Sequence, residues 1–173
     1  SGDCRLPGKQ QELINRLAAV NDKLVVVVMS GGICSVNDCI GSIKGLLYAF
    51  YPGQEGGYSV ADVLYGEVNP GGKLPVTMPT TVGQLPPFDD DHRKQAENGI
   101  GYRWFDTRNK TPLFPFGYGL SYTSFEMSNL TLSSGSIEGD QWVSVSVDVT
   151  NTGSRAGDEV VQLYVSDTQA SVP

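Results

Sequence analysis

The chain has 173 residues, which suits one domain or one and a fraction at the usual ~100–200 residues per domain. Its 12 basic and 19 acidic residues leave a net charge of −7, which repels phosphate backbones and anionic lipid and argues against nucleic-acid and membrane partners. The longest apolar run, residues 24–29, falls far short of the ~20 residues that cross a bilayer and is too short for the core of a signal peptide.

The opening Ser1-Gly2-Asp3-Cys4-Arg5 reads as the interior of a longer protein rather than a natural start. The first predicted element is a helix over residues 7–22, with Leu13, Ile14, Leu17 and Ala18 spaced along one face. Pro7 suits its first turn, where a missing N–H costs nothing. Residues 24–29 are a continuous, mostly β-branched run, predicting a strand buried on both faces in a parallel sheet covered by helices. Ser30-Gly31-Gly32 ends it. Residues 45–51 predict a second buried strand, followed by the turn Pro52-Gly53-Gln54-Glu55-Gly56-Gly57. A helix over 58–65 is expected to point Val60, Ala61 and Leu64 inward and to end at Gly66. This succession is half of a doubly wound sheet, whose ligands sit beyond the C-terminal strand ends, where the Gly-rich turn lies.

Asn69-Pro70-Gly71-Gly72 is a turn signal, and residues 73–78 predict a short strand that Pro75 confines to an edge. Residues 80–111 read as polar and irregular, and 112–123 as ordered without being regular. The character then changes. Val143, Val145, Val147 and Val149 alternate with Ser144, Ser146 and Asp148, the period of a half-buried antiparallel strand. Asn151-Thr152-Gly153 turns the chain, Val161, Leu163 and Val165 share one face of a further strand, and residues 125–132 form an earlier one. About three strands against the ~7 of a full sandwich make this part incomplete. The fold class is therefore α/β: part of an α/β sandwich, a mostly parallel sheet flanked by helices, followed by a partial β-sandwich.

Several residues are candidates for chemistry. Gln54 and Glu55 in the Gly-rich turn are the candidate substrate-binding pair, against the simpler reading that Glu55 caps the following helix. The run Asp89-Asp90-Asp91-His92-Arg93-Lys94 lacks the turn glycine of a calcium loop and reads as solvated, so no metal site is expected. Tyr102, Trp104, Phe105, Phe114, Phe116, Tyr118 and Tyr122 read as a small core joining two domains, with a sugar-stacking platform as the alternative. Asp62 and Lys73 read as salt-bridging or capping. Cys34 and Cys39 either form a local disulfide or stay as free, partly buried thiols, and the third cysteine, Cys4, leaves an odd count. Asn109-Lys110-Thr111 and Asn129-Leu130-Thr131 match the N-glycosylation pattern, the first weakened by Pro112.

In order along the chain stand Leu6-Pro7-Gly8-Lys9-Gln10-Gln11-Glu12-Leu13-Ile14, the apolar strand with Ser30-Gly31-Gly32, Tyr51-Pro52-Gly53-Gln54-Glu55-Gly56-Gly57, and Ala61-Asp62-Val63-Leu64-Tyr65-Gly66. Asn69-Pro70-Gly71-Gly72-Lys73-Leu74-Pro75-Val76-Thr77 and Phe114-Pro115-Phe116-Gly117-Tyr118-Gly119-Leu120-Ser121-Tyr122-Thr123 follow. In this order and spacing the chain resembles glycoside hydrolase family 3, the β-glucosidases and β-xylosidases. Val149-Thr150-Asn151-Thr152-Gly153 and Val160-Val161-Gln162-Leu163-Tyr164-Val165 look like that family's fibronectin type III-like domain.

The resemblance implies three parts. Residues 1–110 would be the C-terminal part of the α/β-sandwich domain, 111–123 a connecting segment, and 124–173 an incomplete fibronectin type III-like domain. A barrel would supply an aspartate nucleophile, and a glutamate shortly before the Leu-Pro-Gly motif would be the acid/base. Neither falls in this chain, so no catalytic residue is assigned here and the isolated chain is expected to be inactive. The implied reaction is retaining hydrolysis of terminal β-D-glucosyl or β-D-xylosyl residues, without a cofactor, on oligosaccharides or aryl β-glycosides, in an extracellular or periplasmic protein. The rival readings are a non-catalytic carbohydrate-binding or scaffold module and a subunit paired with a separate barrel chain, which predicts an exposed apolar face.

Overall fold

The computed structural model describes residues 4–87, 99–167 and 169. Its first layer is helix α1 (Gln10–Ala18) against strands β1 (Val25–Val28) and β2 (Gly45–Tyr48). The strands pair in parallel, Val25 opposite Gly45 through Val28 opposite Tyr48. Ile14 of α1, Val28 of β1, and Val36, Cys39 and Ile43 of the crossover between the strands are the buried core, closed by half-buried Leu6, Leu24, Leu46 and Phe114.

The predicted helix over 7–22 is trimmed at both ends. Gly8 takes φ +61°, so Pro7 lies in the turn ahead of the helix. Of the four residues expected inward, Ile14 is buried and Ala18 half-buried, while Leu13 and Leu17 are exposed. The expectation of a strand fully buried on both faces is corrected: Val25 is exposed, Val26 and Val27 are half-buried, and Val28 is buried. Consecutive strand residues point to opposite faces, and Val26 and Val27, like Leu46 and Leu47, are each half-buried, so both faces are partly covered.

β2 is shorter than the predicted 45–51. Ala49 N–H still donates to Val28 O (2.9 Å), but Phe50 takes φ +49° and cannot continue an extended ladder. Helix α2 (Gly56–Tyr65) starts two residues before the expected 58. A side chain at Gly56 would place its Cβ 2.6 Å from Pro52 Cγ, so only glycine lets this first turn pack back on the proline. Val60 and Ala61 are half-buried as expected; Leu64 is exposed and Val63 takes the inward position. Gly66 caps the helix in the left-handed conformation, φ +81°.

Two predicted strands are not strands. Across residues 73–78 the chain pairs at both ends with residues 113–118, through Leu74 N–H to Tyr118 O and Met78 N–H to Phe114 O (2.8 Å each). Between them it bends at Pro75 and Val76, since proline offers no donor to the ladder. Residues 161–165 form no ladder with any described strand, and Val161, Leu163 and Val165 are exposed. Conversely, the stretch read as irregular holds helix α3 (Tyr102–Thr107), which buries Trp104 and Phe105. Gln84 fastens it: its carbonyl accepts from Trp104 Nε1 (2.7 Å) and Lys110 Nζ (3.0 Å), and its side chain donates to Thr111 O (2.9 Å).

The last part is an antiparallel ribbon of β3 (Phe125–Leu132) and β4 (Val145–Asn151), Phe125 opposite Asn151. Val143, Val145 and Val147 are half-buried and Ser144, Ser146 and Asp148 exposed, as the alternation predicts, while Val149, expected on the same face, is exposed. The register shifts between Ser128 and Thr131, where Asn129 takes φ +54°.

Polar contacts tie the two parts together. Asn69 donates from Nδ2 to Ala156 O (3.1 Å) and accepts through Oδ1 from Ser121 Oγ (3.0 Å) and Tyr122 N–H (2.8 Å). Arg155 donates to the carbonyl of Gly66, and Tyr122 Oη to Val63 O (2.7 Å). Lys73 Nζ stands 3.0 Å from Glu159 Oε1 and donates to Gly119 O (2.9 Å), the salt-bridging role the sequence assigned to it.

The Lys73 hydrogen bond, with help from the Val160 N–H, holds the Glu159 carboxyl below its ordinary range. A lowered carboxyl stabilises the fold above its ordinary value, and that contribution is lost as pH falls through the lowered one. Glu159→Gln should therefore be less stable than the parent at neutral pH, and the two melting temperatures should converge as pH is taken below about 4; curves separated equally at pH 7 and pH 3 would rule this out.

Candidate functional site

The Gly-rich turn joins the C-terminal end of β2 to α2, with the loop after β1 beside it. The two loops are in contact: a Cβ added at Gly31 would collide with the Tyr51 ring. Tyr48, the last residue of β2, clamps the same end of the sheet. Its hydroxyl donates to Gly32 O (3.0 Å) and accepts from Cys34 N–H (2.5 Å), and its ring lies 4.9 Å from that of Phe50. Burial pushes the Tyr48 phenol from 10.0 up to about 12, outweighing the Cys34 N–H bond that favours the anion. This residue was not singled out from the sequence; the available signal was a phenol ending a buried strand, since a buried Tyr hydroxyl usually finds a partner.

Gln54 and Glu55 are exposed in that turn, side by side at the mouth of α2. Glu55 occupies the N-cap position, but its side chain makes no capping hydrogen bond; its carbonyl accepts from Ser59 N–H (3.0 Å) and Ser59 Oγ (3.2 Å). The reading of Glu55 as a side-chain cap is thus corrected: the backbone turn closes by itself, and the carboxylate is left facing outward. Asp62 lies exposed on α2. Residues 89–94, with His92, lie outside the described residues. Among the described residues no group of three or more His, Cys, Asp or Glu side chains is arranged to hold a metal.

The aromatic stretch divides. Trp104 and Phe105 are buried, with Arg108 and Lys110 over the indole at 4.5 and 4.9 Å. Phe114 closes the first core and stacks on Tyr118 at 4.9 Å. Tyr102 and Phe116 (5.4 Å) instead meet Tyr164 (5.5 Å from Tyr102) around an open recess of about 260 Å³ that Asp106 and Pro115 complete. Tyr118 and Tyr122 are exposed, so the stretch does not form the single joining core expected of it.

All three cysteines are free thiols. Cys34 Sγ donates to Ser30 Oγ (3.3 Å) and Cys39 Sγ to Val36 O (3.3 Å), so the Cys34–Cys39 disulfide does not form and the free-thiol alternative holds. Asn109 is exposed at φ +49° just after α3. Asn129 is exposed in β3, but its Nδ2, the atom a glycan would need, donates to Asp148 Oδ2 (2.8 Å).

Residues 1–122 match the family model described as the glycosyl hydrolase family 3 C-terminal domain. A β-glucosidase of Rhizobium radiobacter is 45% identical over 98% of this chain and 22% of its own length. A β-xylosidase of Formosa agariphila is 43% identical over 98% of this chain and 23% of its own length. Among solved structures, the β-D-glucoside glucohydrolase of Trichoderma reesei superposes with a TM-score of 0.81 at 28% identity, covering 88% of this chain and 24% of that one. The chain thus spans less than a quarter of the length of these relatives.

Removing the Tyr48 hydroxyl leaves the Cys34 N–H without its partner, so Tyr48→Phe should lose about 1–3 kcal/mol in urea unfolding. A phenol whose folded value is raised stabilises the fold below its ordinary pKa and loses that contribution as pH rises through the folded one. The gap between parent and variant should therefore hold up to pH 10 and shrink toward pH 12; a variant as stable as the parent at pH 7 would show the clamp to be idle.

Proposed function

This chain belongs to glycosyl hydrolase family 3, whose C-terminal domain it carries over residues 1–122, and from that premise we propose that it is the C-terminal portion of a retaining β-glycosidase. The intact protein removes terminal β-D-glucosyl or β-D-xylosyl residues from oligosaccharides or aryl β-glycosides, outside the cytoplasm, in the extracellular or periplasmic space. The observation that carries this reading is the ordered motif series of residues 6–123, together with a β-glucosidase and a β-xylosidase among the relatives.

Retaining hydrolysis needs two carboxyls ~5–5.5 Å apart, one attacking the anomeric carbon and one protonating the leaving oxygen and later activating water. We assign neither to this chain. Both come from other parts of the protein: the nucleophile from a barrel, the acid/base from the segment ahead of Leu6-Pro7-Gly8. The contribution of these residues is binding and support. Exposed Leu13 and Leu17 on α1 and Tyr58, Leu64 and Tyr65 on α2 favour a chain that packs against a neighbouring barrel. Residues 124–173 are read as part of a fibronectin type III-like domain, supported by the antiparallel β3–β4 ribbon and its valine alternation.

The test is hydrolysis of p-nitrophenyl β-D-glucoside and β-D-xyloside. The 173-residue chain alone should give no turnover above the blank, and the protein with its barrel should hydrolyse at least one of the two; turnover by the chain alone overturns the reading. The recess lined by Tyr102, Phe116, Tyr164 and Asp106 supports a second, carbohydrate-binding reading, because sugar faces stack on aromatic rings beside a hydroxyl-accepting carboxylate. Saturable binding of cello-oligosaccharides with no hydrolysis by the intact protein would favour that alternative.

Gln54 and Glu55 are proposed to touch substrate from the turn beyond β2. In the active protein, Glu55→Gln should raise KM several-fold, up to about tenfold, with kcat little changed, the signature of binding lost equally in ground and transition states. Unaltered kinetics would remove Glu55 from the site.

A further inference from the structure

Cys4 and Cys34 are far apart in sequence, yet the backbone brings them together. Arg5 and Ser35 form a parallel bridge, and the Ser35 N–H donates to the Cys4 carbonyl. Parallel neighbours stand ~4.8 Å apart, and Cys4 and Cys34 are the residues one step before the two bridge partners. Cys4 takes φ +50°, off the extended conformation, and the bond from the Ser35 N–H to its carbonyl keeps it beside the Cys34–Ser35 peptide, the neighbourhood from which a disulfide's roughly 4.4–6.8 Å α-carbon span can be closed. Both side chains are half-buried, open enough for a small reagent, and Cys34 gives up a part-buried 3.3 Å contact to Ser30 Oγ on reacting, whereas Cys39 is 1% exposed and its bond to Val36 O is buried. Both also border one group, the Tyr48 hydroxyl: the Cys34 N–H donates to it, and the charges of Cys34 and Cys4 each oppose its ionisation.

We propose that Cys4 and Cys34 are a redox pair that closes to a disulfide by exchange with a low-molecular-weight disulfide. One thiolate attacks the reagent's S–S bond and expels a thiolate, giving a mixed disulfide. The second cysteine attacks the protein sulfur of that intermediate and expels the other reagent thiolate. Two protein thiols lose two electrons and two protons, and the reagent leaves as two thiols. The bond ties the chain ahead of α1 to the loop beyond β1, at the strand ends where Tyr48 sits. The pairing rests on the backbone bridge and is independent of any assignment of activity. The local Cys34–Cys39 link suggested by spacing loses to it because Cys39 Sγ is turned into the core.

The test is equilibration of the purified protein with oxidised glutathione, then alkylation under denaturing conditions and peptide mapping. The expected product carries one Cys4–Cys34 cross-linked peptide and an alkylated Cys39, with a melting temperature raised by about 5 °C or more and reversed by dithiothreitol. Cys39→Ser should form the same cross-link, and Cys4→Ser should stop at a glutathione adduct on Cys34. A Cys34–Cys39 peptide, glutathione adducts that persist on Cys4 and Cys34 of the parent protein, or full alkylation of all three cysteines would each overturn the proposal. Mapping the parent protein decides the matter even where a variant fails to fold.

Discussion

The parallel register of β1 and β2 sets the position of everything at one end of the first layer. Val28 stands opposite Tyr48, so both strands finish level and their loops leave side by side. Phe50, at φ +49°, turns the second chain away immediately after the last rung. The Tyr51 ring therefore lies over Gly31, and the Tyr48 phenol reaches across to the loop beyond β1. A slip of one residue would send that hydroxyl to the other face of the pair and leave the Cys34 N–H unmet.

The elements that declared themselves in the sequence are those whose signal is local. The valine run of β1, the Gly66 cap of α2 and the alternation in β4 each depend on neighbours within a few residues. What stayed illegible depends on contacts from afar. Helix α3 is six residues long, too short for a 3.6-residue period to register, and it is held by Gln84 from a distant turn. The early start of α2 depends on Pro52 lying against Gly56. The alternation of residues 161–165 does not become a strand, because a strand needs a partner and the described residues offer none. At the candidate site the Gly-rich turn was visible, whereas the tyrosine behind it and the meeting of Cys4 with Cys34 come from the tertiary bridge at Arg5 and Ser35.

The junction between the two parts uses polar groups rather than a shared apolar core. Asn69 meets three partners, and Lys73 reaches both Gly119 and Glu159. Hydrogen bonds and ion pairs constrain direction more than greasy contact does. They hold the end of α2 against the segments that flank the ribbon, residues 121–122 and 155–159, and so orient the Gly-rich turn at the opposite end of the same helix. Under the proposed assignment of Gln54 and Glu55 to substrate contact, such orientation fixes where that turn stands.

A two-stranded ribbon presents backbone donors and acceptors along its open edges, a template on which another chain can stack. In β3 the left-handed Asn129 interrupts that edge, and its side chain is turned to Asp148 of β4. A bulge kinks the strand and strengthens its twist, so a flat partner strand would lose register there. The irregularity at Asn129 thus limits how far a neighbouring strand could pair along β3 in regular register.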